Sequence, residues 1–227
     1  MGRPQRAAEG GYVYHVLNRA NARMTIFAAD ADYEAFEQFS AEAAWLTETR
    51  LLAYCVMPNH WHLLVWPRTD GELSRFVGWL TLTHTQRWHA HRHSAGSGHV
   101  YQGRFKSFPV QEDEHFSTVA RYVERNAARA HLVRRAEQWR WGSLARWLNG
   151  SSSERQLLAE QAAAAQGELG GPRQCAAGAT ELVSIRRSVQ RGCPFGESTW
   201  SERTSVRLGL EATFRPRGRP KKESKGS

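Results

Sequence analysis

The histidines are the residues whose spacing points most directly to chemistry. Three pairs have one residue between them, namely His60/His62, His89/His91 and His91/His93. Residues two apart project from the same face of a strand but from different sides of a helix. His60 and His62 begin an apolar, strand-like run. His89, His91 and His93 instead lie at the end of a predicted helix, where basic residues are common in the last turn. We therefore interpret only the first pair as a candidate metal site.

The residue types available for this site indicate what kind of metal site it would be. A closed zinc site needs four ligands, and the three cysteines (Cys55, Cys175 and Cys193) are too far apart in sequence to complete one around His60 and His62. An open site for a divalent ion, shared between two imidazoles, an oxygen ligand and a substrate phosphate, fits these residues better. The alternative is a half-buried strand whose histidines are satisfied by hydrogen bonds.

Tyr122 and Asn126 supply further reactive groups. They lie four residues apart in a predicted helix, which places the phenol and the amide on one face, one turn apart. A tyrosine hydroxyl can attack phosphorus directly and give a phosphotyrosine that conserves the bond for rejoining. Asn126 could provide the oxygen ligand that the two histidines lack. The alternative is that Tyr122 belongs to the apolar face of its helix.

The elements that must position these groups follow from hydrophobic periodicity. Their order, strand, helix, strand, strand, helix, strand, helix, predicts the α+β class, with a ferredoxin-like antiparallel sheet and helices packed on it. The predicted elements are a strand over 11–18, a helix over 30–46, a hairpin of 51–57 and 60–66, a long helix from 73 that ends near 94–98, a strand over 100–110 broken at Gly103, and a helix over 112–130. Trp45, Trp79 and Trp88 are assigned to helical core faces.

The chain divides into three parts by composition. Residues 1–150 form one dense catalytic unit, and 151–211 form a mostly helical, partly disordered extension and linker. Residues 212–227 form a basic tail, which contains the sequence PRGRP around Arg217 and Arg219. This sequence resembles an AT-hook, in which a glycine between two arginines lies in the minor groove of A/T-rich duplex DNA. Non-specific electrostatic anchoring is the alternative.

Overall composition favours a polyanionic partner. The chain has 227 residues, a formal net charge of +9 and 41% hydrophobic residues, so a proper core can form. No apolar run approaches the roughly 18 residues of a membrane span, and the N-terminus lacks the apolar region of a signal peptide. We therefore expect a cytoplasmic, nucleoid-associated protein that binds nucleic acid and no membrane.

Basic and aromatic residues near the proposed site could hold single-stranded DNA, which is usually bound by a cationic groove with aromatic stacking platforms. Each of them alone could be a solvated surface residue, but as a set they favour phosphate contact. The predicted DNA-binding residues of this part are Arg19, Arg23, Arg104, Phe105, Lys106, Arg121, Arg125 and Arg129.

Four segments together resemble the REP-associated tyrosine transposases, which are domesticated relatives of insertion-sequence transposases in the HUH single-tyrosine superfamily. They are YHVLNRANARMTIF (14–27), LLAYCVMPNHWHLLVW (51–66), GHVYQGRFKSFPV (98–110) and YVERNAARAHLV (122–133). The resemblance covers about residues 10–150. The chain departs from the family at Ala20, Ala127–Ala128 and His131, where the family has Gly, Pro-Val and Gly. None of these changes removes a catalytic group.

The resemblance implies a ferredoxin-like fold and a role for each candidate residue. His60 and His62 would bind a divalent metal, Mg²⁺ or Mn²⁺, with Asn126 as third ligand and Tyr122 as nucleophile. The implied function is a metal-dependent endonuclease and transesterase, a site-specific nickase and strand transferase of DNA transposition. It would cut single-stranded DNA that carries a hairpin from a repetitive extragenic palindrome (REP), through a 5′-phosphotyrosine. Relatives act as dimers or monomers, so both states stay open.

Two other functions agree with the same residues. A non-catalytic regulator would keep the fold to recognise hairpins, and it would bind them without forming a covalent adduct. A metal hydrolase would use water instead of Tyr122 and would release free 5′ phosphate ends. The presence of both histidines, the tyrosine and the asparagine favours the transesterase.

Overall fold

The predicted order of strands and helices is present in the computed structural model, which describes residues 7–151, 155, 157, 158 and 178–215. A short 3₁₀ segment at Asn21–Arg23 follows the first strand. The main elements are β1 (Val13–Arg19), α1 (Asp30–Thr47), β2 (Arg50–Met57), β3 (His60–Trp66), α2 (Glu72–Arg92), β4 (Lys106–Val110), α3 (Glu114–Glu124), α4 (Asn126–Arg129), α5 (Ser143–Asn149), α6 (Ala179–Arg191) and α7 (Ser198–Arg207).

The four strands form one sheet in the order β2-β3-β1-β4, and every neighbouring pair is antiparallel. This order and connectivity define the ferredoxin-like arrangement, so the predicted α+β fold class is confirmed. In the central pair, His62 lies opposite Leu17 and His60 lies opposite Arg19. The register therefore places both histidines at the end of the sheet where β1 finishes and β3 begins.

Each face of the sheet has its own apolar core. Phe36 of α1, Phe76 of α2 and Trp61 of β3 are fully buried together on one face. On the other face, Val119 of α3 and Ile185 of α6 are buried with residues of all four strands. Because side chains alternate along a strand, burial of Trp61 on the first face turns its two neighbouring histidines toward the second.

The β2–β3 turn is anchored to the segment that follows β1. The backbone amides of Ile26 and Phe27 donate to the Pro58 carbonyl at 2.8 and 3.1 Å, and that of Ala20 donates to the Asn59 carbonyl at 2.8 Å. These bonds satisfy backbone groups at the mouth of the hairpin and limit its movement. They hold the start of β3, and with it the first histidine, in place.

Two predicted elements differ from the observed ones. The strand predicted over 100–110 is regular only as β4, because Gly103 adopts a left-handed φ of 78° and Tyr101 forms only an isolated bridge with Ala20. The helix predicted over 112–130 is divided into α3 and α4, because Arg125 leaves helical geometry at φ −91° and ψ 7°. Tyr122 and Asn126 therefore do not share one continuous helix.

The prediction that Trp45 belongs to a core face was wrong. Its side chain is 79% exposed, whereas Tyr33, Phe36 and Ala43 of the same helix are buried. A residue two positions after Ala43 is rotated by about 200° around the helix axis, so Trp45 points away from the sheet. The prediction holds for Trp79 and Trp88, which are partly buried and packed against the core of α1 and α2.

The described part of the C-terminal extension is mostly helical, as predicted, and it packs on the sheet. The Phe195 amide donates to the Pro109 carbonyl at 2.9 Å, and the Gln111 amide donates to the Phe195 carbonyl at 3.0 Å. Arg207 also forms an ion pair with Glu9. The predicted tail contacts Arg217 and Arg219 lie outside the described residues. In the described part of the chain, no helix is both long and apolar enough to cross a bilayer.

A buried polar group connects α1, β2 and α5. The Tyr54 hydroxyl donates to Glu37 Oε1 at 2.6 Å and accepts from Arg146 Nε at 2.5 Å, and the Arg146 guanidinium also pairs with the other Glu37 oxygen. Burial raises the pKa of the Glu37 carboxyl, against the opposing effects of Tyr54 and Arg146. The charged form of Glu37 is therefore stabilised in its buried position by Tyr54 and Arg146.

Replacing Arg146 with methionine should lower the free energy of unfolding by about 3–5 kcal/mol, because Glu37 is then left buried without its cation. The double variant Glu37→Met/Arg146→Met should recover most of that loss. Urea unfolding followed by circular dichroism measures both values. If Arg146→Met were as stable as the double variant, the buried Glu37 carboxylate would not need Arg146 as its partner.

Candidate active site

The structure brings His60, His62 and Tyr122 together on the face of the sheet that α3 covers. The ring centroids of the two histidines are 5.2 Å apart, and the Tyr122 ring lies 5.9 Å from that of His62. His62 and Tyr122 are buried, whereas His60 is partly exposed at the start of its strand. The separation in sequence between the histidines and the tyrosine is thus closed by packing of α3 on β3.

Both histidines use one ring nitrogen for a protein contact and leave the other available. His60 Nδ1 lies 2.6 Å from Asn59 Oδ1, and His62 Nδ1 lies 2.9 Å from His15 Nε2. Because the Asn59 oxygen only accepts, His60 carries its proton on Nδ1 and a lone pair on Nε2. Among the described residues, neither Nε2 atom has a hydrogen-bond partner, and neither is a fully buried unpaired atom. Both Nε2 atoms are therefore in contact with solvent, and that of His62 has a lone pair for a ligand when His62 donates its Nδ1 proton to His15.

His15 completes this group, although the sequence suggested no role for it. It is 1% exposed, stacks on Phe108 with ring centroids 4.7 Å apart, and lies 6.1 Å from the Tyr122 ring. The available signal was an ionisable side chain on the same strand face as apolar Val13 and Leu17. A second partner of this kind usually sets the tautomer and orientation of a metal-binding histidine.

Burial keeps all three imidazoles neutral near pH 7. It lowers the pKa of His15 to about 3, and together with the charge of Arg19 it lowers that of His60 to about 4. The pKa of His62 falls well below its usual range because of burial and, after that, because of its neighbours His15 and His60. Neutral imidazole is the form that binds a metal.

Arg129 joins the tyrosine to the asparagine. Its guanidinium lies over the Tyr122 ring, 4.2 Å from the centroid, and donates to Asn126 Oδ1 at 2.7 Å and to the Tyr122 carbonyl. Asn126 is 9% exposed, and its Nδ2 is buried without a hydrogen-bond partner. The predicted pair is therefore held by an arginine across the break between α3 and α4, and this arginine, predicted to contact DNA, is engaged inside the site.

Several predicted DNA contacts lie near the histidines. Arg19 is opposite His60 in the sheet, and its carbonyl accepts from the Gln102 amide at 2.8 Å, which places the segment leading to Arg104 beside it. The Arg23 carbonyl accepts from Asn59 Nδ2 at 3.3 Å. Of the other predicted residues, Phe105 directly precedes β4 and Lys106 begins it. Arg121 lies on α3, and Arg125 directly follows that helix.

A separate group has ligand-type atoms close together, but it is explained by helix capping. Asp113, Glu114 and His115 have such atoms within 4.8 Å of one another. Asp113 Oδ1 accepts from the His115 amide at 2.8 Å and lies 2.7 Å from His115 Nδ1. Asp113 is thus the N-cap of α3, a role that aspartate commonly takes.

The part of the chain that carries the site matches a known protein family. A family model described as "Transposase IS200 like" matches residues 10–126, which include β1, the paired histidines, the tyrosine and the asparagine. The chain belongs to this family. Family membership assigns the chain to the DNA-processing enzymes, in agreement with the resemblance found in its sequence segments.

One solved structure supports the fold, with a TM-score above 0.5. The chain is similar to a REP-associated tyrosine transposase bound to a REP hairpin, with a TM-score of 0.55, 17% identity, and coverage of 78% of this chain and 93% of that one. A putative transposase from Deinococcus radiodurans R1 is 18% identical with a TM-score of 0.37, over 58% of this chain and 92% of that one. No curated protein matches the chain.

Replacing Arg129 with alanine should lower the free energy of unfolding by about 2–3 kcal/mol, because charge-assisted bonds to Tyr122 and Asn126 are lost. Arg129→Lys should recover less than half, since an ammonium cannot reproduce the planar fork. Thermal and urea unfolding measure these differences. Equal stability of the lysine variant and the wild type would show that the fork geometry is unimportant.

Proposed function

We propose that this transposase cuts and rejoins single-stranded DNA next to a REP hairpin through a 5′-phosphotyrosine at Tyr122. The observation that carries the proposal is the position of Tyr122 beside His62, with ring centroids 5.9 Å apart. Its hydroxyl makes no hydrogen bond with the described residues, and the oxygen is not completely buried. The phenol oxygen therefore has some contact with solvent and no protein partner that it would have to give up.

The donor set suits a hard divalent cation such as Mg²⁺ or Mn²⁺. His60 and His62 would hold it through Nε2, and Asn126 would add Oδ1, which has a second lone pair beside the one that Arg129 uses. When bound, such an ion polarises the scissile phosphate and stabilises charge on the leaving oxygen. The neutral state of both imidazoles and the fixed Nδ1 contacts prepare the ligands for this role.

In the proposed cleavage step, the Tyr122 oxygen attacks the phosphorus and the bond from phosphorus to the 3′ oxygen breaks. The electron pair leaves with the 3′ oxygen, and the phenol proton passes to solvent. Arg129 over the ring favours negative charge as it develops on the phenol. Rejoining reverses the step, because a 3′ hydroxyl attacks the phosphotyrosine and Tyr122 leaves as phenolate.

The proposed DNA path starts at the cations around His60. Arg19, Arg23 and Arg104 would contact phosphates, and Phe105 would offer a stacking surface. The similar transposase bound to a REP hairpin supports a hairpin as the substrate. We retain residues 1–150 as the catalytic part, 151–211 as an extension, and 212–227 as a tail for A/T-rich duplex, in a protein that acts at the nucleoid.

Replacing Tyr122 with phenylalanine should abolish the covalent protein–DNA adduct while hairpin binding persists, because only the attacking oxygen is removed. A labelled oligonucleotide containing a REP hairpin, incubated with Mn²⁺ and run on a denaturing gel, shows the adduct. The matched control is Tyr12→Phe, at the opposite end of β1. An adduct that survives in Tyr122→Phe would remove this tyrosine from the mechanism, and hairpin binding without any adduct in the wild type would favour the regulator.

Replacing His60 with alanine should weaken the binding of Mn²⁺ alone by more than about tenfold, since one of two imidazole ligands is lost. His91→Ala, in the exposed histidine cluster at the end of α2, should leave Mn²⁺ affinity unchanged. Calorimetric titration measures both without any DNA. If the two variants bound Mn²⁺ equally, the proposed metal site would be wrong.

A further inference from the structure

A cationic cavity of about 470 Å³ lies on α6, outside the residues discussed above. Four arginines line it, Arg186, Arg187, Arg191 and Arg215, together with apolar Val183 and Phe214. We call it the arginine pocket. Cations around exposed apolar and aromatic surface are the combination that binds single-stranded nucleic acid.

The pocket is fixed by the way α6 packs. Ile185 and Ser188 are buried, so α6 turns Val183 outward, where it is 66% exposed. Arg191 Nε donates to the Thr213 carbonyl at 3.0 Å, which holds the short turn before Phe214 against α6. Phe214 is 37% exposed. An aromatic face is therefore presented beside the arginines by a built turn.

Three arginines of the pocket have no carboxylate partner in the part of the chain that the structure describes. In the described ranges, Arg186, Arg187 and Arg215 form no ion pair with a carboxylate. Glu181, the acidic residue of α6, instead accepts from the Gly178 amide at 2.6 Å and lies 3.5 Å from the Thr118 hydroxyl. Uncompensated like charges around one cavity repel each other, and an anionic ligand would relieve that repulsion.

The pocket is close to the candidate active site. α6 contacts α3, the helix that carries Tyr122. The pKa of Arg129 is lowered first by burial and further by the positive charges of Arg186 and Arg125. Arg129 lies over the Tyr122 ring, so Arg186 is near enough to the site for its charge to act on a residue that contacts the tyrosine.

We propose that the arginine pocket binds the single-stranded DNA that flanks the hairpin at Tyr122. Arg186 and Arg187 would contact consecutive phosphates, and Phe214 would stack on a base. The inference rests on the proposed DNA-cutting function and adds a subsite to it. A strand is favoured over a duplex because a base can reach Phe214 only when it is unpaired.

The test compares a hairpin carrying a single-stranded flank with the same hairpin lacking it, by fluorescence anisotropy without metal, using the full chain with Tyr122→Phe. The flank should strengthen hairpin binding. The double variant Arg186→Ala/Arg187→Ala should bind the flanked hairpin about tenfold more weakly and the flankless hairpin as tightly as before. The dependence of log K on log salt should become shallower by about 1.4, since each phosphate contact on a single strand contributes about 0.7. Arg75→Ala/Arg203→Ala, on α2 and α7 outside the pocket, is the matched control.

Phe214 separates stacking from charge. Phe214→Leu should weaken flank binding about tenfold at unchanged salt dependence, whereas Phe214→Trp should preserve it. The proposal is overturned if the pocket variants keep the full gain from the flank, or if they weaken the flankless hairpin equally. Adduct formation by the wild type is measured separately. Pocket-dependent flank binding without an adduct would overturn the cleavage proposal alone.

Discussion

The register of β3 between β2 and β1 is the constraint on which the site depends. Trp61 is fully buried, and its indole donates to the Tyr101 hydroxyl at 2.9 Å. That hydroxyl is in turn hydrogen-bonded to His84 Nδ1 at 2.8 Å. If β3 paired one residue out of this register, Trp61 would point to the opposite face of the sheet, and His60 and His62 would point into the apolar core that Trp61 now fills. The apolar core on one face thereby determines the chemistry on the other.

The remaining parts of the site depend on contacts between distant segments. His15 of β1 orients His62 of β3, and Arg129 of α4 connects Tyr122 to Asn126 after the helix has broken. Each contact joins elements that are separate in sequence, so the sheet and α3 must be assembled before the site exists. A buried polar network of this kind is effective only when its members are satisfied together. Asn126 Nδ2 is an exception, because it is buried without a hydrogen-bond partner among the described residues.

Much of the fold could be predicted because its signals are local. Alternation in β1 and in the β2–β3 hairpin, and helical spacing in α1 and α2, were sufficient for the order of elements. The break at Arg125 was not visible, since Asn126-Ala127-Ala128 contains no proline or glycine to mark it. The resemblance to the family indicated His60, His62, Tyr122 and Asn126. The contact of His15 with His62 and the position of Arg186 near Arg129 depend on tertiary packing, which the sequence pattern does not reveal.

Both edges of the sheet are covered, which bears on how two copies could associate. Along β2, the Val56 amide donates to the Trp141 carbonyl at 2.9 Å, and the Tyr54 amide donates to the Ser143 hydroxyl at 3.1 Å. Along β4, Phe195 forms a parallel bridge with Val110. Strand addition needs free backbone groups at an edge. A second copy could therefore not add a strand at these positions unless the covering segments first moved away.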